Sequence, residues 1–242
     1  GTMQWKAATV SSSGGNANGG WGDCSIYNID SLNLLVNPNG SLSEAMGTSV
    51  SIYGDYAVVG SPGSDVGGLT DCGEALVYHY NSASSSWDFY AQLLNGNAAA
   101  GDRFGTVVDI YQNYIIVGAF TDDEGGFTDN GSSTIFKLNT NTGVWENQGK
   151  LTNPSAANGD NFGFSVCIFG DYAAVGAYGD DEGGFFDVGS ATVFKRNSGT
   201  GVWESQGKLT ISNPGTNDRF GTSLDINTNY LLVGAPGDDE SP

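Results

Sequence analysis

The sequence predicts an all-β protein, a β-propeller of four-stranded antiparallel blades in about four repeats of 58 residues. Three observations predict it. Gly47, Gly105, Gly163 and Gly221 stand 58 residues apart, and Gly60, Gly118, Gly176 and Gly234 keep the same step. Trp87, Trp145 and Trp203 follow it too. Apolar residues alternate at period two through every unit, with no stretch of helical period. Short strands in units of this length, repeated, are the signature of propeller blades.

One unit justifies the elements in order. "FSVCIF" is a first strand, and "GDY" turns the chain into "AAVGA", the second. The acidic loop of "GAYGDDEGGFFDVGSA" leads to "ATVFKRN", the third strand. "SGTG" then turns it into "VWESQGKL", the fourth. The repeats divide the single domain 1–242 into blades at 46–102, 103–160 and 161–218, with a partial blade at 219–242. Residues 1–45 read as a degenerate partial blade. "GDCSIYNID" aligns with a third strand, "LNLLVNPNGSLSEA" with a fourth, and "WKAATV" before them resembles a second. This phase leaves three alternatives open: a small ring whose closing blade combines strands from both ends, a fragment of a longer chain, or a protomer completed by a neighbouring chain.

The segments "NFGFSV…GDYAAVGA" and "RFGTSL…NYLLVGAP" resemble FG-GAP repeats, the blades of integrin-α-type β-propellers. The resemblance covers residues 46–242 and extends weakly into the first 45. Met46 departs from it by replacing Phe, and Phe120 and Tyr178 replace the Pro kept at Pro62 and Pro236. It implies a secreted or cell-surface, non-enzymatic protein that mediates adhesion or recognition. Integrin-type blades carry a calcium loop between their first two strands. Here that place holds only "GDY", "QNY" or "TNY", so those ligands do not carry over.

Composition narrows the partners. Twenty-seven Asp and Glu against 8 Lys and Arg give a formal charge of −19. That excludes nucleic acid as the expected partner, because phosphate neutralisation needs Lys and Arg. No apolar run approaches the roughly 20 residues that cross a bilayer, and membrane insertion is not expected. Protein or glycan ligands at a surface, and self-association through strands near the ends, remain. Cys24 and Cys72 sit at near-equivalent points of neighbouring repeats and are a candidate disulfide. Cys167 reads as a small core residue. Asn39 and Asn130 head N-x-Ser sequons and are candidate glycosylation acceptors.

The acidic loops are the candidate metal sites. Asp65, Asp71, Asp122, Asp123, Glu124, Asp129, Asp180, Asp181, Glu182 and Asp187 are the candidate calcium ligands, since calcium takes six to eight oxygens from carboxylates and carbonyls. Their spacing fails the EF-hand pattern, and the competing reading is that they accept backbone N–H bonds in turns. Phe127, Phe185 and Phe186 lie in these polar loops and are candidate ligand contacts, suited to carbohydrate when set beside Asp and Asn. Phe104, Gly105, Phe162, Gly163, Phe220 and Gly221 are expected to be structural, the rings wedged between blades. Glu44, Asp102, Asp160 and Asp218 are expected to satisfy backbone donors of the turns before them. Nothing points to catalysis: His79 is the single histidine, and almost every acid belongs to a repeated set. The expected function is non-enzymatic adhesion or recognition, with calcium as a stabilising ion. The alternatives are a carbohydrate-binding lectin, or a filament subunit assembled by head-to-tail strand exchange.

Overall fold

The computed structural model describes residues 24–28, 31–40 and 44–239. Its strands, in order, are β1 (Cys24–Asn28), β2 (Ser31–Leu35), β3 (Val50–Tyr53), β4 (Tyr56–Ser61), β5 (Glu74–Asn81) and β6 (Ser86–Leu93). Next come β7 (Val107–Tyr111), β8 (Tyr114–Ala119), β9 (Ser132–Asn139) and β10 (Val144–Thr152). They are followed by β11 (Phe162–Phe169), β12 (Tyr172–Ala177), β13 (Ser190–Arg196), β14 (Trp203–Leu209), β15 (Ser223–Ile226) and β16 (Leu231–Gly234). β3–β6, β7–β10 and β11–β14 form three four-stranded antiparallel meanders, while β1–β2 and β15–β16 are separate two-stranded sheets. The fold is therefore all-β with propeller-like blades. No helix among the described residues is long and apolar enough to cross a membrane.

The period-two pattern becomes layers because adjacent strands place alternate side chains on opposite faces. Second and third strands are covered on both faces: β4 is buried from Ala57 to Ser61 and β8 throughout. Fourth strands lie outermost and keep polar residues outward. The cores form between neighbouring sheets. One joins Val58, Val77 and Leu93 to Phe104, Val108, Ile110, Phe136 and Trp145. The next joins Ile116, Ile135 and Leu151 to Phe162, Val166, Ile168, Phe194 and Trp203. Each fully buried Val, Ile or Phe contributes about 1.5–3 kcal/mol relative to exposure, so the sheets stabilise one another.

Glycine sets how closely they approach. A Cβ on Gly60, Gly118 or Gly176 would lie 1.9, 2.1 or 2.0 Å from the carbonyl oxygen of Gly105, Gly163 or Gly221 in the following sheet. Those following glycines have φ near +90°, a region that side chains resist. Beside this contact Phe104, Phe162 and Phe220 form parallel bridges to Gly73, Gly131 and Gly189 of the preceding sheet. The Phe-Gly element is thus a backbone joint. Phe104 and Phe162 are fully buried behind it.

Among the described residues no ladder joins β15–β16 to β1–β2. Each half is held by the sheet beside it in sequence: Leu35 of β2 packs with Met46, Val59, Leu76 and Tyr78, and the Tyr78 hydroxyl donates to Val36 O at 2.9 Å. Cys72 is a free buried thiol rather than half of a disulfide, accepting the Val66 N–H at 3.4 Å within its own loop. Asn130 is almost wholly buried and its Nδ2 donates to Glu124 O at 2.9 Å, so it offers no glycan acceptor, whereas Asn39 is exposed. "WKAATV", at 5–10, lies outside the described residues.

The joint makes a direct expectation. Gly118→Ala forces a methyl against Gly163 O and should cost at least about 2 kcal/mol by overpacking. Gly96→Ala, whose Cβ meets nothing nearer than 3.9 Å, should cost under about 0.5 kcal/mol. Urea unfolding of the two variants checks the contrast.

Candidate functional site

The acidic loops at 62–73, 120–131 and 178–189 connect second to third strands. Two kinds of acid build each one. Asp65, Asp123 and Asp181 accept the N–H of Asp71, Asp129 and Asp187 through Oδ1 at 2.8, 2.8 and 2.9 Å. Asp71, Asp129 and Asp187 themselves have φ near +50°, a left-handed conformation that Asp tolerates better than most residues. This bend aims their carbonyls at the next blade, where they accept the N–H of Arg103, Asn161 and Arg219 at 3.1, 3.0 and 3.1 Å. The following N–H groups, of Phe104, Phe162 and Phe220, bond the carbonyls of Cys72, Asn130 and Val188. The loops are connectors between blades.

The second kind of acid is buried. Asp122 and Asp180 accept the hydroxyls of Ser132 and Ser190 at 2.5 Å each. Lys150 binds both Asp122 (2.7 Å) and Glu124 (2.6 Å), and Lys208 binds Asp180 (2.8 Å) and Glu182. In the first complete blade the same bond is kept with its ends exchanged. Ser64, where the others have Asp, donates to Glu74, where they have Ser, at 2.7 Å. Gln92 replaces the lysine and Val66 the second acid, and Gln92 Nε2 donates to Glu74. Either set carries one carboxylate more than its ammonium groups, so the buried charge is the same.

Across the joint stands a further acid in each blade. Asp102, Asp160 and Asp218 accept the N–H of Ala99, Ala157 and Gly215 at 2.6, 2.7 and 2.6 Å. Asn95 and Asn153 reach Asp102 and Asp160 from below at 3.3 and 2.7 Å. Burial pushes the Asp160 carboxyl up to about 6; the Ala157 N–H opposes this, and the nearby Asp180 carboxylate adds to it. Asp102 is raised for the same leading reason.

The candidate calcium ligands are therefore not brought together as one cage. Asp122, Glu124, Asp180 and Glu182 converge on lysine ammonium groups, and Asp65, Asp123 and Asp181 each hold a backbone N–H. No group of three or more His, Cys, Asp or Glu able to hold a metal ion occurs among the described residues. Asp122, Glu124, Asp180 and Glu182 are already held by an internal ammonium group.

The loop aromatics do reach solvent. Phe127, Phe185 and Phe186 are 39, 43 and 69 % exposed, and Leu69 stands at the place of Phe127 and Phe185 in the first loop. His79 lies between Tyr56 and Tyr90, its ring tilted against both at 4.6 and 5.7 Å between centres, and opposite Asp88 of β6.

Sequence reasoning missed three features that the repeat carries. Gln92, Lys150 and Lys208 occupy one repeated position, as do Tyr53, Tyr111 and Phe169. Those rings stack across the inner hairpin turns at 5.0 and 4.4 Å. Asp109 joins the first strands of three blades, accepting Ser51 Oγ at 2.8 Å and Ile168 N–H at 2.9 Å. Reading columns of the repeat rather than its rows would have found the first two.

The family of FG-GAP repeats matches residues 33–78, 87–136, 145–194 and 203–242. The chain belongs to this family. Each match starts on or just before a fourth strand and reaches at least the second strand of the following blade, so every match spans one inter-blade joint. Among solved structures it is similar to Sqt1 of Saccharomyces cerevisiae at 9 % identity and a TM-score of 0.48, covering 89 % of this chain and 44 % of that one. No curated protein matches.

Two expectations follow from the buried charges. Lys150→Met leaves Asp122 and Glu124 without their cation and should cost about 1–3 kcal/mol. Adding Asp122→Ser, Glu124→Val and Ser132→Glu, with Gln in place of Met at 150, rebuilds the first blade's arrangement and should recover most of that loss in urea unfolding. The second concerns pH. Because the folded carboxyl of Asp160 titrates near 6, above its ordinary 3.8, the native state binds the extra proton between these values. Stability from this group therefore rises as pH falls from 7 to 4. Asp160→Asn should lack that rise, so the melting-temperature gap between native protein and variant should widen over the same interval.

Proposed function

We propose that this FG-GAP protein is a non-enzymatic, extracellular recognition module that takes its ligand on the face formed by the acidic loops. The observation that carries this reading is one exposed apolar side chain at the same loop position in each blade, Leu69, Phe127 and Phe185, with Phe186 beside the last. The structural work of these loops is done by Asp side chains and backbone, and it leaves the rings without an internal role. A row of solvated rings beside carboxylates supports a ligand with both apolar and hydrogen-bonding surface. Carbohydrate is the second reading, favoured by the pairing of Phe186 with Asp187 in one loop.

The reading of no catalysis is supported by the same accounting. The buried acids are held by serine, lysine and backbone donors, and His79 by aromatic rings. An extracellular location is supported by family membership together with the exposed sequon at Asn39.

Binding of the native protein to a glycan array and to extracellular-matrix proteins is compared with that of a Phe127→Ser, Phe185→Ser, Phe186→Ser triple variant. The triple variant should lose at least tenfold in affinity for whatever binds, at an unchanged melting temperature. Equal binding by both proteins would overturn the loop face as the site. Binding to matrix protein but to no glycan would remove the carbohydrate reading.

A further inference from the structure

Of the 8 Lys and Arg, Lys6 lies outside the described residues, and most of the others have a partner within the chain. Lys150 and Lys208 are ion-paired to the acidic loops, and Arg196 to Asp171. Lys137 and Lys195 lie over the rings of Tyr114 and Tyr172, at 5.6 and 5.1 Å from the ring centres. Arg103 and Arg219 differ. Both are exposed, and their guanidinium groups bond nothing among the described residues.

The two arginines hold one position of the repeat, and Asn161 holds it between them. All three are left-handed, with φ of 54, 56 and 56° for Arg103, Asn161 and Arg219. That conformation suits Asn better than Arg. The backbone alone does the work of the joint, since each N–H bonds the carbonyl of Asp71, Asp129 or Asp187. Asn161 adds weak bonds from Nδ2 to Phe120 O and Asp129 O, at 3.3 Å each. Nothing in the joint uses a guanidinium, although Arg fits the backbone less well than Asn. Arg103 stands between two complete four-stranded sheets, β3–β6 and β7–β10.

Both arginines stand next to the exposed tips of the acidic loops. The N–H groups of Gly101 and Arg103 bond Thr70 O and Asp71 O at 2.9 and 3.1 Å, directly after the exposed Leu69. The same run in the third loop begins at Phe186, 69 % exposed, whose carbonyl accepts the Asn217 N–H at 2.8 Å, two residues before Arg219. Asp65 and Asp181 in these loops use Oδ1 for a backbone N–H. Their Oδ2 atoms have no partner among the described residues, and both side chains are exposed.

We infer that the loop face takes an acidic carbohydrate, a glycan containing uronic acid, with Arg103 and Arg219 each binding a carboxylate. This rests on the reading of the loops as the binding face and names the chemistry of its ligand. The face makes three demands. Leu69 and Phe186 call for an apolar surface, the free Asp oxygens for hydroxyl donors, and the guanidinium groups for carboxylates, which they bind in bidentate fashion. One uronic acid ring offers all three, whereas an acidic peptide offers carboxylates with few hydroxyls. The formal charge of −19 is no barrier to such a ligand. At physiological salt, exposed charges farther than about 8 Å are largely screened, while the guanidinium contact is direct.

The test is calorimetric binding to oligosaccharides of galacturonate, alginate and hyaluronan, each beside its carboxyl-reduced, neutral form. At least one acidic oligosaccharide should bind the native protein, and its reduced form should bind at least tenfold more weakly. A variant with both Arg103→Asn and Arg219→Asn should keep the native melting temperature, because Asn161 already occupies this position. It should bind the acidic form at least tenfold more weakly and no longer distinguish it from the reduced one. The inference is overturned if none of the acidic oligosaccharides binds, or if acidic and reduced forms bind equally. Tighter binding of an oligoglutamate peptide than of every oligosaccharide would overturn it too. If the phenylalanine triple variant loses binding while the arginine variant keeps it, the loop face stands and the acidic ligand falls.

Discussion

The structure depends on one backbone contact, the approach of a second-strand glycine in one blade to the glycine of the Phe-Gly element in the next. Gly60 on Gly105, Gly118 on Gly163 and Gly176 on Gly221 leave no room for a Cβ on either partner. This closeness lets the Phe-Gly segment bridge to Gly73, Gly131 and Gly189 and brings the N–H groups of Phe104, Phe162 and Phe220 to carbonyls of the preceding loop. It also brings Val108 and Ile110, or Val166 and Ile168, onto the neighbouring sheet. The apolar cores follow from a contact that is itself polar and made by residues without side chains.

A joint of this kind buries acids, and the chain handles them by local neutralisation. Lys150 and Lys208 each hold two carboxylates, and their serine partners hold the remaining lone pairs. The first blade reaches the same net buried charge with Ser64, Val66, Glu74 and Gln92, by exchanging which end of the bond carries the acid. Only the sum is constrained, because an unpaired buried charge is costly while the direction of a hydrogen bond between two side chains is nearly free. The formal charge of −19 is thus partly internal structure.

Much of the fold was legible in the sequence because the repeat exposes it. The 58-residue step, the period-two alternation and the Phe-Gly glycines lead to three complete meanders and to the identity of β1 and β2 as third and fourth strands. The role of Asp65, Asp123 and Asp181 as N–H acceptors was legible too, since each bond closes within one loop over six residues. The lysine cations were not, because Lys150 and Lys208 lie 26 residues beyond Glu124 and Glu182 in sequence, on the outermost strand of the same sheet. Nor was the burial of Asn130, which depends on the fold of its loop beneath the next blade.

By itself the sequence determined the periodic features: strand order, blade length, where glycine must replace a side chain and which acids shape turns. These are written in spacing, and spacing is set by strand geometry and steric exclusion within a few residues. Tertiary structure alone decided which charges neutralise one another and that Cys72 stays a free thiol. Those depend on contacts between segments well separated in sequence, and such contacts exist only once the strands of a blade have paired and the loop has folded.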